Sequence, residues 1–591
     1  MSFSPLSRFA FPLVAAVALA LPLRAAEAPA PTSAAAPAED TVLRAMRDEL
    51  QRATSQLQLD GTEPPYFAAF RINDTVSAGV AASFGALTVA RAPDRVIERT
   101  ATVELRVGSP LLDQTSFIGS GGGSGTVTVS LPSEDNYTEL RRQLWLATDA
   151  AYKGAVERLA RKRAALQNRT RTDTTPDFTI EPPTQTVDNA PARPFDVAQA
   201  SQVARELSGV FREFPAVANS RVSIGFEDTL VRYVNSEGTS YTRRESAVSL
   251  TALANSPAAD GRLLEDHFRH LARGVDELPG KAELLAQTRA LGQNLTAQHN
   301  APQLEETYNG PVLFEGTAAI EVFAQVFAPQ LTAAKLPVFE GRGGGGGQTN
   351  PFMDRIGARV LPEFLDVTDD PTQSTLNGRP LFVTEKIDDE GVPTRAVKLV
   401  EAGRLKTLLT SRVPARGFPK STGSRHGSGA SPTNLIVTAR EGLAPDALKA
   451  ELIKIATVRN KDFGILVRQV ANPAFGVGGG GGRGGGPGQG NIEPAIRAYK
   501  VFPDGREELL RHVEISGVTT SAFRDILAAG TDLNIQNLPI RVVRPGGRGG
   551  GGGDQIGTIA VPSLLFDEVT LKAPTGDLPK LPVAKHPFFD K

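Results

Sequence analysis

The sequence changes character near Thr307, and this change constrains the fold more than any other feature. Before Thr307, segments with helical spacing of apolar residues alternate with runs of β-branched and aromatic residues. After it, short strand-like runs are separated by glycine and proline. We therefore predict an α+β protein of two domains, with an N-terminal α/β-type domain of antiparallel strands and long helices over 40–303 and a C-terminal β-rich domain over 304–591.

Periodicity predicts the individual elements. Helices are expected over residues 40–57, 137–167, 196–211, 261–273, 317–327 and 445–456. Strands of the first domain are expected at 66–72, 76–83, 87–91, 99–107, 222–226, 231–235 and 247–254. The first of these strands follow one another closely, which predicts an antiparallel meander. In the second domain, residues 387–412 read as an acidic turn, a strand, a hairpin at 401–403 and a second strand.

The first residues have the pattern of a signal peptide. Arg8 precedes the apolar stretch 9–23, and small residues follow over 25–28. The apolar stretch is shorter than the roughly 20 residues that a membrane-spanning helix needs. We predict a signal peptide over 1–28 with its cleavage site left open, an Ala/Pro-rich flexible tether over 29–39, and a periplasmic or secreted protein without a membrane span.

Composition excludes several classes of function. The chain has no cysteine, which removes disulfides, thiolate metal ligands and cysteine nucleophiles. Its net charge of -1 offers no broad basic field for nucleic acid, so no such partner is expected. No G-x-S-x-G elbow occurs. Glycine runs at 119–125, 343–347, 478–490 and 546–553 lack the phosphate-loop spacing and are expected to be surface loops.

The histidines have a structural and a chemical interpretation. His267 and His270 lie three apart in a predicted helix, where they could share a metal with Glu265 or Asp266. Their spacing lacks the embedded glutamate of H-E-x-x-H, and a polar helix face is the favoured interpretation. His426 lies in a glycine- and serine-rich segment, where it could contact a ligand or face water.

Several sequence blocks occur in a fixed order. They are VNSEGT (234–239), YNGPVLFEGTAA (308–319), DDEGVPTRAVKLVEAGRL (388–405), STGSRHG with SPTNL (421–435) and IGTIAVPSLLFDEVTLK (556–572). On these blocks, which span most of the mature chain, the sequence resembles the TldD/PmbA family. That family is described as candidate metalloproteases and modulators of DNA gyrase, with members implicated in peptide-antibiotic maturation. The resemblance implies a role in peptide processing.

The resemblance also implies what this chain lacks. In the catalytic branch of the family, H-E-x-x-x-H supplies two zinc-binding histidines and a glutamate that polarises water, and a later cysteine completes the site. Here Phe314 and Ala319 occupy the histidine positions, while Glu315 retains the glutamate. This pattern resembles the PmbA-like branch, whose members lack the metal motif and pair with a TldD-type subunit. We predict no metal ligands and no cofactor, with zinc only through atypical ligands, and Glu315 as the catalytic candidate.

The same resemblance suggests cavity-facing groups in the second domain. The candidate substrate-binding residues are Asp388, Asp389, Glu390, Gly391, Ser421, Thr422, Gly423, Thr433 and Asn434. A solvated turn is an equally good interpretation of the acidic residues among them.

The leading interpretation is an exported, metal-lacking partner of a zinc-bearing TldD-type homologue, in a hetero-oligomer that takes an extended or unfolded polypeptide. One alternative is an autonomous peptidase that uses Glu315 with atypical metal ligands. Another is a non-enzymatic envelope binding protein. The gyrase role is not carried over, because an exported protein does not meet a cytoplasmic enzyme.

Overall fold

A computed structural model describes residues 40–93, 98–119, 123–167, 173–188, 190–258, 260–341, 350–472, 492–540, 542, 555–574 and 586. The predicted signal peptide and tether, and the glycine runs at 343–347, 478–490 and 546–553, lie outside these residues. By their contacts, the described residues from Thr41 onward form one compact unit. No helix in the described ranges is long and apolar enough to cross a membrane.

The N-terminal half, residues 40–303, combines long helices with one large sheet. Its elements are α1 (Thr41–Gln56), β1 (Pro65–Ser83), β2 (Ala86–Arg91), β3 (Glu98–Ser109), β4 (Leu112–Asp113), β5 (Phe117–Ile118), β6 (Thr126–Leu131), α2 (Tyr137–Gln167), β7 (Gln185–Val187), α3 (Val197–Gly209), β8 (Asn219–Asn235), β9 (Ser240–Pro257), β10 (Leu263–Ala272) and α4 (Lys281–Asn300). The sheet order is β10-β9-β8-β1-β3-β4, with β2, β6 and β7 alongside. Apart from β7, which is parallel to β9, its pairings are antiparallel.

The two faces of this sheet have different neighbours, because side chains alternate along a strand. On β1, Phe70 and Ile72 pack against helices α1 and α2, and Val80 packs further along the same face in the core that contains α3 and α4. The odd-numbered Phe67 and Ala69 point the other way and pack with Ile387 of the C-terminal half. The opposite face of the sheet is therefore free to carry polar groups toward the C-terminal half.

The predicted helix over 261–273 is wrong. This segment is strand β10, paired antiparallel with β9 from Leu263 opposite Pro257 to Ala272 opposite Val248. Apolar residues at three- and four-residue spacing resemble a helix face, but pairing with a long neighbouring strand decides the conformation. In a strand, His267 and His270 lie on opposite faces, so the structure does not bring them together around one metal. Helix α4, which follows, was not predicted.

Other differences are smaller. The strands predicted at 66–72 and 76–83 are one continuous strand, β1, and those at 222–226 and 231–235 are likewise one strand, β8. The helix predicted over 137–167 has the predicted bounds.

The C-terminal half, residues 304–591, is rich in strands. Its elements are β11 (Tyr308–Phe314), α5 (Thr317–Val322), β12 (Val338–Phe339), β13 (Leu365–Asp369), β14 (Thr375–Leu376), β15 (Arg379–Pro380), β16 (Val397–Glu401), β17 (Arg404–Leu405), β18 (Arg425–His426), β19 (Gly429–Ala430), β20 (Asn434–Ala439), α6 (Pro445–Val458), β21 (Gly464–Val470), β22 (Ile492–Val501), β23 (Glu507–Leu510), β24 (Val513–Ser516), α7 (Thr520–Arg524), β25 (Ile526–Ala529), β26 (Asn534–Ile540), β27 (Gln555–Val561) and β28 (Leu564–Lys572). A π-helical turn, Phe323–Phe327, extends α5, so the predicted helix over 317–327 is only partly α-helical. The hairpin predicted at 401–403 is present between β16 and β17.

Two sheets of this half share one core. Strands β11, β21, β22, β24 and β28 form a closed barrel, because β11 pairs with both β21 and β28. The second sheet has the order β17-β16-β13-β20-β27-β26. Side chains of α5 and of both sheets belong to the same apolar cluster, so α5 is enclosed between them. The fold class is α+β, with an N-terminal part of helices and antiparallel strands and a β-rich C-terminal part, as predicted.

Candidate functional site

The acidic turn at 388–391 is organised by its own first side chain. Oδ1 of Asp388 accepts hydrogen bonds from the N–H groups of Glu390 and Val392, each at 2.9 Å, and Oδ2 accepts one from Arg425 N at 3.0 Å. Burial, with the charge of Glu390 adding to it, raises the pKa of Asp388 to about 7. Gly391 has φ +78°, and a Cβ there would lie 2.4 Å from the methyl group of Thr239. The DDEG block therefore packs directly on the VNSEGT block.

Asp389 connects the N-terminal sheet to the C-terminal loops. Its Oδ1 accepts from Arg71 Nη1 at 2.9 Å and Arg243 Nη2 at 2.5 Å, and its Oδ2 accepts from Gly427 N at 2.7 Å. Tyr241 donates its hydroxyl proton to the carbonyl oxygen of Asp389 at 3.1 Å. Burial alone would raise the pKa of Asp389, but Arg71 and Arg243 hold it well below its usual range.

A second buried carboxyl group lies beside Asp389. Glu385 places Oε2 3.2 Å from Arg243 Nη1 and Oε1 3.1 Å from His426 Nε2. Burial raises the pKa of Glu385 to about 8, since the attraction of Arg243 is offset by Asp389 and Glu245. Burial also lowers the pKa of His426, against the attraction of Asp389. Burial thus favours the uncharged forms of both side chains.

The segment 173–188 of the N-terminal half lies against the same loops. The carboxylate of Asp177 binds Lys162 Nζ through one oxygen and Lys335 Nζ through the other, each at 2.6 Å. Arg412 donates from Nε to Thr179 O at 3.2 Å and pairs with Glu237 at 2.7 Å. These contacts are almost completely removed from water, because Lys162, Asp177 and Arg412 each expose 2% or less of their side chains.

We call this set of contacts the junction. It consists of Arg71, Asp177, Glu237 and Arg243 from the N-terminal half with Lys335, Glu385, Asp389 and Arg412 from the C-terminal half. Charged groups that are this well buried are stable only when they are paired. The junction therefore fixes the loops of the C-terminal half against the N-terminal sheet.

The STG part of the fourth block is buried within the C-terminal loops. Ser421 accepts a hydrogen bond from Gly423 N at 3.1 Å, and Thr422 Oγ1 exchanges hydrogen bonds with Thr410 and Ser424. Gly423 has φ +72°, and a Cβ there would meet Pro393 O at 2.3 Å. The structure thus places these side chains in the support of the loops.

The SPTNL part is buried in the same way. Thr433 Oγ1 lies 3.0 Å from a carboxylate oxygen of Asp369, and burial raises the pKa of that carboxyl group to about 6. Asn434 Nδ2 donates to Val383 O at 2.7 Å and to Asp370 O at 2.9 Å. Direct substrate contact by Thr433 or Asn434 remains a prediction.

A cavity of about 560 Å³ lies beside the junction, and several charged side chains line it. Of the predicted site residues, only Asp389 and Glu390 line it. Other charged or hydroxyl-bearing side chains also line the cavity. From the N-terminal sheet these are Arg71, Thr102, Glu104, Arg106 and Tyr233, and from the C-terminal half they are Lys335, Ser411, Arg425 and Ser428. Sequence analysis missed the strand residues, although charged side chains at alternate positions of apolar strands were a usable signal.

The position that corresponds to the zinc motif lies elsewhere, at the end of barrel strand β11. Phe314 is fully buried and packs edge-on against Phe566, with ring centroids 5.3 Å apart, and Ala319 is fully buried on α5. Glu315 Oε2 lies 2.7 Å from Arg468 Nε, and both side chains are about one-third exposed. Glu315 does not line the cavity.

These residues do not fit a zinc centre. Phenylalanine and alanine have no lone pair to donate, and the remaining carboxylate is engaged by a guanidinium group. Within the part of the chain that the structure describes, no three His, Asp or Glu side chains are arranged to hold a metal ion.

Comparison with known proteins agrees with this architecture. Residues 307–573 match the PmbA/TldA metallopeptidase C-terminal domain. No curated protein matches the sequence. The structure is similar to that of a candidate modulator of a DNA gyrase from Thermotoga maritima, with 14% identity and a TM-score of 0.54 over 85% of this chain and 96% of that one.

Two further solved structures are similar. TldE from Thermococcus kodakarensis is 14% identical, with a TM-score of 0.56 over 90% of this chain and 100% of that one. A candidate modulator of DNA gyrase from Bacteroides thetaiotaomicron is 12% identical, with a TM-score of 0.54 over 90% and 98%. At these identities the likeness is one of fold. The fold and the domain match define a metallopeptidase-related α+β protein. Over residues 307–573 the chain matches this family, and the resemblance to the TldD/PmbA family that the ordered sequence blocks predicted is confirmed.

Proposed function

We propose that the chain is an exported subunit in peptide processing that has no zinc centre of its own and works beside a zinc-bearing TldD-type homologue. The observation that carries this proposal is the state of the three motif positions. Phe314 and Ala319 are part of the apolar core, and Glu315 forms an ion pair with Arg468. A water-activating glutamate serves a metal that polarises the same water, and here no residue beside Glu315 offers such a metal its ligands.

The partner role has a separate basis. Without a metal centre, a family member contributes to peptide cleavage by completing an assembly whose other subunit holds the metal. An extended peptide can be taken up through backbone hydrogen bonds, which suits substrates of many sequences. The cavity of about 560 Å³ beside the junction supports such uptake, because it is large enough for part of a peptide.

The metal content of the purified mature protein is the first test. After dialysis against trace zinc, inductively coupled plasma mass spectrometry is expected to find far less than one zinc per chain. A control homologue with an intact H-E-x-x-x-H motif, treated in the same way, should retain near-stoichiometric zinc. Near-stoichiometric zinc in this chain would overturn the proposal and favour an autonomous peptidase with atypical ligands.

Reconstitution tests the partner role. The chain is co-expressed with a zinc-bearing homologue from the same genome, and the assembly is isolated by size-exclusion chromatography. Cleavage of an unstructured fluorogenic peptide should require both chains, and a glutamine in place of the homologue's motif glutamate should abolish it. Full cleavage by the homologue alone would contradict the proposed role.

Export is tested on the protein from its native host. Fractionation followed by N-terminal sequencing should find the chain outside the cytoplasm, beginning within residues 25–30. A cytoplasmic chain that still begins at Met1 would contradict export without affecting the partner role.

A further inference from the structure

We propose that the cavity beside the junction binds the free ammonium terminus of a short peptide, with Glu104 and Glu390 as the acceptors. The peptide character of the ligand rests on the proposed function. The preference for an ammonium group rests on the cavity itself.

The cavity has the dimensions of a ligand site. Its volume of about 560 Å³ lies within the range of roughly 300–1,000 Å³ typical of small-ligand pockets. One wall comes from β3, where Val103 and Leu105 pack among the apolar side chains of α1 and α2. Strand alternation therefore turns Thr102, Glu104 and Arg106 toward the C-terminal half. The loops that form the opposite wall are fixed by the junction, so the cavity is preorganised.

Most of the cations that line the cavity already have partners in the protein. Lys335 Nζ contacts the Asp177 carboxylate at 2.6 Å and the carbonyl oxygens of Thr175 and Pro176 at 2.6 and 3.0 Å. A lysine ammonium group has three donors, so these contacts use its capacity.

The arginines that line the N-terminal wall are similarly engaged. Arg106 binds Glu104 at 2.8 Å and Asp113 at 3.0 Å, and Arg71 binds Asp389 at 2.9 Å. Arg106 is also buried, with 3% of its side chain exposed. An anionic ligand would have to compete with these internal carboxylates.

The carboxylates of Glu104 and Glu390 can still accept further hydrogen bonds. Glu104 uses Oε1 for Arg106, and 27% of its side chain is exposed, the largest value among the charged residues that line the cavity. Glu390 accepts from Arg412 N at 2.9 Å through Oε2, while its Oε1 is 3.4 Å from Arg425 Nη1. Each ionised carboxylate offers about four acceptor sites.

Glu104 and Glu390 also lie near the same groups. Burial is the main reason that the pKa of Tyr233 is raised, and both carboxylates add to that increase. Both also favour the charged form of Arg106. Two carboxylates around one cavity suit a primary ammonium group, which donates up to three charge-assisted hydrogen bonds. Ser411 and Ser428 line the same cavity from the C-terminal half.

Isothermal titration calorimetry on the full mature chain tests the inference. The probes are tri-alanine and alanyl-phenylalanyl-alanine, each with a free and with an acetylated amino terminus. Saturable binding of the free peptides is expected, and acetylation should weaken it about tenfold or more, because it removes the charge. The Glu104→Gln and Glu390→Gln variants should bind the free peptides about tenfold more weakly. The control Glu98→Gln lies on the same strand at an exposed position and should bind like the wild type.

The possible results distinguish failure of this inference from failure of the proposed function. No binding of either free peptide, or equal binding of free and acetylated forms by the wild-type chain, would overturn the inference whether or not the variants fold. Wild-type affinity in folded Glu104→Gln and Glu390→Gln would also overturn it. If reconstituted cleavage succeeds while the isolated chain binds neither peptide, the inference fails and the proposed function stands. Selective binding of free peptides without any partner-dependent cleavage would support the cavity and overturn the partner role.

Discussion

The junction and the Glu315–Arg468 pair use the same chemical groups in different surroundings. Lys162 and Asp177, which join the junction to α2, expose 2% and 1% of their side chains, whereas Glu315 and Arg468 expose 32% and 37%. Removing one partner of a buried pair leaves an uncompensated charge and costs several kcal/mol, whereas most exposed pairs contribute little. The family motif would place the chemistry at Glu315, but the junction contains charges that are much more deeply buried than Glu315.

The largest expected effect follows from breaking the junction at Asp177. Asp177→Asn removes the charge that compensates both Lys162 and Lys335, and both ammonium groups remain buried. We expect the free energy of unfolding to fall by about 3–5 kcal/mol. Urea unfolding followed by circular dichroism measures this change.

A matched control keeps the residue types of an Asp–Lys pair but takes the pair from the protein surface. Asp149 pairs with Lys153 on the surface of α2, with 40% and 57% of the side chains exposed. Asp149→Asn should cost only about 0.3–0.5 kcal/mol. Equal losses in the two variants would show that burial does not distinguish the junction.

A backbone contact beside the junction should give the next largest effect. Gly423 and Gly378 have nearly the same φ, +72° and +75°, but only at Gly423 would a Cβ meet a backbone oxygen, that of Pro393. Gly378→Ala should cost about 1 kcal/mol from left-handed strain alone. Gly423→Ala should cost about 3 kcal/mol, because overpacking adds to the strain.

Unfolding free energies of the two alanine variants, measured side by side, check this difference. Equal values would mean that the loop around Pro393 moves at little cost. The STG block would then be less rigid than the rest of the junction region.

The pH dependence of stability tests the protonation state of Glu385 in the junction. The pKa of about 8 in the folded protein lies above its ordinary value of 4.5, so the folded state binds this proton more tightly. The stabilisation that comes from this tighter proton binding by Glu385 is fully present below about pH 4.5, and it decreases as the pH rises toward 8. The free energy of unfolding of the wild type should therefore fall between pH 5 and pH 8. In Glu385→Gln this fall should be smaller by about 1–2 kcal/mol.

Urea unfolding at several pH values checks this prediction. Asp388 has a pKa raised to about 7 and Asp369 one raised to about 6, so the dependence should weaken rather than vanish. The exposed Glu98→Gln variant should keep the wild-type dependence. An unchanged dependence in Glu385→Gln would show that Arg243 keeps Glu385 ionised throughout this range.

Sequence patterns predicted the elements whose conformation depends mainly on residues that are neighbours in the chain. Helix α2 has the predicted bounds, and the hairpin between β16 and β17 has the predicted turn. Strand β10 was predicted as a helix, because its apolar spacing is ambiguous and its partner strand β9 determines the result.

The candidate site was predicted in part for the same reason. The acidic turn was recognisable, but Asp388 is held by the backbone of Arg425, a long-range contact that no local pattern encodes. The roles of Arg71 and Glu104 depend on which face of the sheet meets the C-terminal half, and this too is set by long-range packing.

The smallest expected effect is at Glu315 itself. Glu315→Gln breaks an ion pair that is about one-third exposed, and Arg468 keeps Glu507 as a partner at 2.7 Å. The unfolding free energy should fall by less than about 1 kcal/mol. Peptide cleavage by the reconstituted assembly should be unchanged, because the proposed function gives Glu315 no part in activating water. A large loss of cleavage with normal stability would reverse the comparison, since the exposed pair would then carry the chemistry and the buried junction only the fold.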